Sequence, residues 1–235
     1  MNKPKMILFD YGGTLMNEPA WNGLPGTRAL LRYAVKNPRG LTAEEVSGFA
    51  DELFDSVGRA AWNIDRELHE WQFDRLLYGL LQIEFSISAE EQERVFCDAA
   101  TCLEPMPHIK ELLAFLRGQG IRMGVVSNIM FSAGQLRERI ARHLPLEQFE
   151  FVIASSEYGV RKPDPLIFQL ALGKADLSPE DVWFCGDHPR CDVEGAHDAG
   201  MYPVWYCGAP EEPPACPHLH IHDWREFIEI LKELQ

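Results

Sequence analysis

Apolar and polar positions alternate between two regimes along this chain. Met6-Ile7-Leu8-Phe9, Arg122-Met123-Gly124-Val125-Val126, Phe151-Val152-Ile153-Ala154, Val182-Trp183-Phe184-Cys185 and Met201 to Tyr206 are short, largely apolar runs that read as buried strands. Between them the apolar residues recur every three or four positions. Ile109, Leu112, Leu113 and Leu116 mark a helix ending at Gly118-Gln119-Gly120, and Asp164-Pro165 opens another, with Asp as cap and Pro at the first helical position. A further helix starts near Asp192 and ends at Gly200, Leu219 to Ile221 reads as a last strand, and Trp224 to Leu234 as a closing helix. Strand alternating with helix predicts an α/β fold, a Rossmann-like parallel sheet with helices on both faces.

The stretch between the first two strands has a different pattern. Thr42-Ala43-Glu44-Glu45 and Ser88-Ala89-Glu90-Glu91 are capping-box sequences. Val46, Phe49, Ala50, Leu53, Phe54 and Val57 follow the first at helical spacing; Val95, Ala99, Cys102 and Leu103 follow the second; Leu76, Leu77, Leu80 and Leu81 mark a helix between them. The expected organisation is a core of residues 1–15 and 106–235 interrupted by an all-helical insert, 16–105. The segment Pro210 to Pro214 reads as a surface loop.

Chemistry collects where the strands end. Asp10-Tyr11-Gly12-Gly13-Thr14 follows the first run, Ser127-Asn128 the second, Lys162-Pro163-Asp164-Pro165 lies in the loop after the third, and Gly186-Asp187 with Asp192 follows the fourth. Ligands of open α/β sheets bind at such carboxyl ends. Any one of these is explained by turn or capping preferences; four in order at one sheet edge are not.

This arrangement resembles the haloacid dehalogenase superfamily, whose motifs are a nucleophilic Asp in a Gly-Thr turn, a Ser/Thr, a Lys, and a Gly-Asp with a further Asp. The resemblance implies Asp10 as nucleophile, Ser127 and Lys162 as phosphate-oxygen donor and charge balance, and Mg2+ held by Asp10, the Gly12 carbonyl, Asp187 and Asp192. It also implies that the helical insert is a cap over the strand tips. Gly12, Gly13, Thr14 and Asn128 are expected around the substrate, with Arg39 in the turn Asn37-Pro38-Arg39-Gly40 as a candidate contact from the cap. The chain departs from the pattern at one position. The family's phosphatases carry a second Asp two residues after the nucleophile, and here Gly12 stands instead, which removes the group that protonates the leaving oxygen. The implied reaction is phosphatase action on a small phosphorylated metabolite. Phosphonate cleavage, carbon–halogen cleavage and slow or non-catalytic phosphometabolite binding are the alternatives.

Charge narrows the partners. Among 235 residues, 22 Lys and Arg stand against 36 Asp and Glu, a net charge of −14, which argues against nucleic acid or an anionic membrane. A phosphate site in such a chain needs a local cluster of donors. No run approaches the ~20 apolar residues of a membrane span, and no signal peptide is evident, so a cytoplasmic location is expected. Six cysteines without CxxC spacing read as free thiols. Cys207, Cys216, His218, His220 and His222 carry zinc-ligand chemistry, although a solvated strand face accounts for the histidines equally well.

Overall fold

A computed structural model of the protein describes residues 2–18, 21–207 and 212–234. Six parallel strands form the central sheet: β1 (Met6–Phe9), β2 (Arg122–Ser127), β3 (Val152–Ala154), β4 (Val182–Gly186), β5 (Tyr202–Tyr206) and β6 (Leu219–Ile221), in the order β6-β5-β4-β1-β2-β3. Each expected strand is present. Residues 208–211, and with them part of the expected loop at 210–214, lie outside the described residues.

The strands read as continuous apolar runs because both faces of the sheet are covered. Side chains alternate across the pleat. Ile7, Phe9, Val125, Trp183 and Cys185 pack on one side with the helices Ile109–Gly118, Ala133–Ala141 and Trp224–Glu233. Met6, Leu8, Val126 and Phe184 pack on the other with Pro165–Ala175 and Gly195–Asp198. As its sequence predicts, Asp164 caps Pro165–Ala175, its carboxylate accepting the Leu166 N–H at 2.9 Å.

β1 lies between β2 and β4, with Phe9 level with Val125 on one side and Cys185 on the other. The strand order therefore switches direction at β1. A crevice opens outside the carboxyl ends at such a point, and Asp10 is the next residue.

The chain leaves the sheet after β1 and returns before Ile109. Where it leaves and returns, Met16–Asn17 pairs antiparallel with Glu104–Pro105. Between them lie the helices Gly23–Leu30, Ala43–Leu53, Glu70–Leu81 and Ala89–Ala100, around a cluster of Leu30, Val46, Phe73, Leu77, Tyr78, Leu81 and Ile83. Thr42 and Glu45 form the full reciprocal capping box, whereas at Ser88 only the serine hydroxyl caps, accepting the Glu91 N–H.

The expectation of a purely helical insert is corrected, because it holds a second short ladder besides the one at its ends. Ala34–Lys36 pairs antiparallel with Glu84–Phe85. A ladder this short spans too few residues to leave an alternating signature, and Val35 is exposed on it.

Candidate active site

The register of the sheet assembles the site. The Asp10 backbone N–H donates to the Cys185 carbonyl at 2.9 Å, which ties the tip of β1 to that of β4. Ser127 ends β2 on the other flank. Lys162 arrives from the loop after β3, and its Nζ lies 2.6 Å from Asp10 Oδ1 and 2.6 Å from Asp192 Oδ1. It is 1 % exposed. Burial disfavours its ammonium, but Asp10 and Asp192 more than offset that and hold its pKa above the usual lysine value.

Asp10, Asp187 and Asp192 offer carboxylate oxygens that all lie within 4.8 Å of one another. Burial and the neighbouring carboxylates raise two of them. Asp10 is raised to about 7, mainly by burial, with Asp192 and Asp187 adding to the rise and Lys162 opposing it. Asp187 is raised to about 6, again by burial first and then by the charge of Asp192. Three carboxylates sharing one lysine are short of positive charge. An all-oxygen donor set fits a hard divalent cation.

The turn after β1 is shaped around Asp187. Gly13 has φ +69°, and a Cβ there would fall inside the Asp187 carboxylate; Thr14 is fully buried and its hydroxyl donates to Asp187 Oδ1 at 3.4 Å. The Gly13 N–H is spent on the Met16 carbonyl at 2.8 Å. Gly12 differs, because it borders the cavity, has no positive φ, and a Cβ built on it meets nothing within 4 Å. The Asn128 side chain is committed at both ends to the Lys162 main chain, donating to its carbonyl at 2.8 Å and accepting its N–H at 2.7 Å. Asn128 thus positions Lys162. Ser127 borders the cavity, and its hydroxyl makes no hydrogen bond to the described residues.

The tips open into a cavity of about 860 Å³ whose far wall is the helical segment. Arg39 does not line it, lying in an exposed turn with its guanidinium over Phe49 at 5.4 Å. The arginines that border the cavity are Arg139 and Arg161. Arg139 pairs with Glu18, and Arg161 lies over Trp62 at 4.1 Å. Both escape a reading based on motifs, as do Glu70 and Asp74. Their signal was a charged residue set into an apolar helical stripe: Arg139 beside Leu136 and Ile140, Glu70 and Asp74 beside Phe73 and Leu77.

At the other sheet edge His220 stacks on Trp205 at 4.3 Å, and His222 lies 4.3 Å from His220. Among the described residues, the group of three or more His, Cys, Asp or Glu placed to share a metal is Asp10, Asp187 and Asp192.

Residues 4–200 match the family model of haloacid dehalogenase-like hydrolases. The chain belongs to that family. Glyceraldehyde 3-phosphate phosphatase of Methanothermobacter thermautotrophicus is 34 % identical over 201 residues, covering 84 % of this chain and 83 % of its own. Phosphoserine phosphatase of Thermus thermophilus is 34 % identical over 124 residues, covering 52 % of this chain and 49 % of its own, so the chain spans about half the length of that relative. The crystal structure of 2-haloacid dehalogenase from Pseudomonas syringae pv. Tomato superimposes with TM-score 0.66 at 21 % identity, covering 99 % of each chain. That likeness establishes the fold alone. Phosphatases are among the relatives of this member of the hydrolase family.

Proposed function

We propose that this hydrolase is a magnesium-dependent phosphatase of a small phosphorylated metabolite, acting in the cytoplasm through a phosphoryl group carried on Asp10. The observation that carries the reading is the group of Asp10, Asp187 and Asp192 gathered around Lys162 at the mouth of the cavity. Displacing a halide takes one nucleophilic carboxylate, whereas three converging ones suit a hard divalent cation. Six free thiols suit a reducing compartment.

Mg2+ would be held by Asp10, Asp187, Asp192 and the Gly12 carbonyl, and when bound it supplies charge neutralisation that lets an anionic nucleophile approach an anionic phosphate. The protein's own residues do the rest. Asp10 attacks phosphorus, the ester oxygen leaves with the bonding pair, and a proton from water completes the alcohol. Lys162 and the Ser127 hydroxyl stabilise charge on the phosphoryl oxygens. Water then attacks the phosphoryl group, releases phosphate and returns Asp10 to a carboxylate. Residues 16–105 act as a cap that keeps bulk water from the intermediate. Its docking contacts support this role: Glu70 N–H to the Met130 carbonyl at 2.8 Å, and Ser155 hydroxyl to Glu67 Oε2 at 2.8 Å.

Gly12 supplies no acid, which also favours a second reading in which phosphometabolite is bound and turned over slowly. Asp10→Asn and EDTA test the first. Hydrolysis of p-nitrophenyl phosphate is expected to fall below about a thousandth with Asp10→Asn, and to vanish with EDTA and return with Mg2+. Wild-type rates in either case would overturn the mechanism.

A further inference from the structure

A phosphate held at the strand tips accounts for one end of the cavity. At the other end, walled by the helical segment, the cavity carries carboxyl groups that the protein leaves unpaired. Its two arginines each face one carboxylate. Arg139 pairs with Glu18 and lies over Phe131; Arg161 lies over Trp62 and faces Glu67 at 3.6 Å.

The acids of the helix Glu70–Leu81 have no such partners. Glu70 is only 8 % exposed, and Asp74 sits one turn further on the same face. Both border the cavity. Neither carboxylate makes a hydrogen bond or ion pair with any described residue. Neighbouring Glu93, by contrast, is satisfied, accepting the Ser132 N–H and hydroxyl at 2.6 Å each and the Trp71 indole N–H at 3.2 Å. A place in the first helical turn favours a carboxylate electrostatically, yet the Trp71 N–H there is capped by His69, and Glu70 accepts nothing. Burial first, and then the charges of nearby carboxylates, push Glu70 well above the usual range and Asp74 to about 7. Unpaired buried acids cost stability. They are retained most readily where a ligand completes them.

We propose that this end of the cavity holds the ammonium of the substrate, so that the protein hydrolyses the phosphate ester of an amino alcohol, its phosphate at Asp10, Ser127 and Lys162 and its amine between Glu70 and Asp74. The proposal rests on the phosphatase reading of the strand tips. An organic ammonium fits better than a second metal ion. Two carboxylates are too few for a metal cage, and the nearby wall is aromatic, with Phe73 and Tyr78 on the same helix and Trp62 beside it, which attracts organic cations through their ring faces. An ammonium pairs with the ionised carboxylates that burial otherwise drives toward protonation, a gain that a neutral hydroxyl does not offer. In short-chain esters the ammonium also acidifies the leaving alcohol, which suits a site with Gly12 in place of an acid. During hydrolysis the phosphorus–oxygen bond alone is broken, and the ammonium leaves unchanged.

The test is a series of ω-aminoalkyl phosphates of graded chain length, each beside its ω-hydroxyalkyl counterpart, with p-nitrophenyl phosphate as a separate readout of phosphatase action. In the wild-type protein with Mg2+, at least one chain length is expected to favour the amine by about tenfold or more in kcat/KM, mostly through KM. In Glu70→Gln, and independently in Asp74→Asn, that preference should fall to within about threefold. A purely structural role would move the melting temperature and leave the ratio alone. Equal rates for amine and hydroxyl esters, with p-nitrophenyl phosphate still hydrolysed, would overturn the inference while the phosphatase reading stands. If no ester is hydrolysed, that reading fails, and calorimetric binding of the same pairs to Asp10→Asn protein decides the inference by itself: tighter binding of the amines upholds it, equal binding overturns it.

Discussion

Gly12→Asp should convert this protein into a better phosphatase. The substitution is sterically permitted, since a Cβ at Gly12 meets nothing within 4 Å and the residue has no positive φ. Gly13, next along, could not accept one. The new carboxyl would face the cavity beside Asp10, where it can protonate the leaving oxygen and, once ionised, take a proton from the attacking water. General acid–base help of this kind is worth about 10² to 10⁴ in rate, or roughly 2.7 to 5.5 kcal/mol of barrier. Against this stands the added repulsion in a cluster that already raises Asp10 to about 7. That repulsion keeps the new acid protonated nearer neutrality, which suits its first task. Losing a glycine restricts the unfolded chain and returns about 0.4–1 kcal/mol of stability, so melting should move by only a few degrees. The assay is kcat/KM for several alkyl phosphates, with melting temperature and Mg2+ affinity measured beside it. A folded, magnesium-binding Gly12→Asp protein with no gain on any ester would refute the idea that the missing acid limits turnover.

Two further outcomes follow from the same geometry. With no acid at position 12, log(kcat/KM) should fall steeply as the leaving-group pKa rises, nitrophenolate leaving far faster than an alkoxide; a flat dependence across aryl and alkyl esters would mean that another residue supplies the proton. Stability in EDTA should decline between about pH 4 and 7: Asp10, Asp74 and Asp187, raised to about 7, 7 and 6, bind more protons folded than unfolded, so their contribution is full below their unfolded value and is lost as pH rises through the folded ones. His220, held below its ordinary value mainly by burial, works in the opposite sense but is one group against several. Saturating Mg2+ should flatten the decline, and a melting temperature that rises from pH 5 to 8 in EDTA would contradict it.

Much of this molecule is legible in the sequence because its strands are buried on both faces. Continuous apolar runs such as Met6–Phe9 and Val182–Cys185 can be nothing else at that length, and the residue after each run falls at the crevice by the topology of a parallel sheet. Asp10, Ser127, Lys162, Asp187 and Asp192 are readable for that reason. The division of labour among their neighbours is not. Whether Asn128 meets a ligand or clamps the Lys162 backbone depends on a loop arriving 34 residues later, and Thr14 turns toward Asp187 only once β4 lies beside β1. Arg39 illustrates the reverse limit: a cationic turn in the helical segment carries no information on whether it faces the cavity, and it lies over Phe49 instead. Of the charges that do face it, Glu70, Asp74 and Arg139 sit in helices whose apolar stripes they interrupt, a signal that is visible only when exceptions to a pattern are weighed as heavily as the pattern; Arg161 lies in the loop just before Lys162.

The central claim is that phosphoryl groups pass through Asp10. Because Gly12 leaves water unactivated in the second step, the intermediate should accumulate with an acidic leaving group. Rapid acid quench of the wild-type protein during turnover of p-nitrophenyl phosphate with Mg2+, followed by peptide mass spectrometry, should find the phosphoryl group on the peptide containing Asp10, together with a burst of nitrophenolate close to one equivalent. Steady turnover with no burst and no phosphorylated peptide, or phosphate found on another residue, would contradict the account.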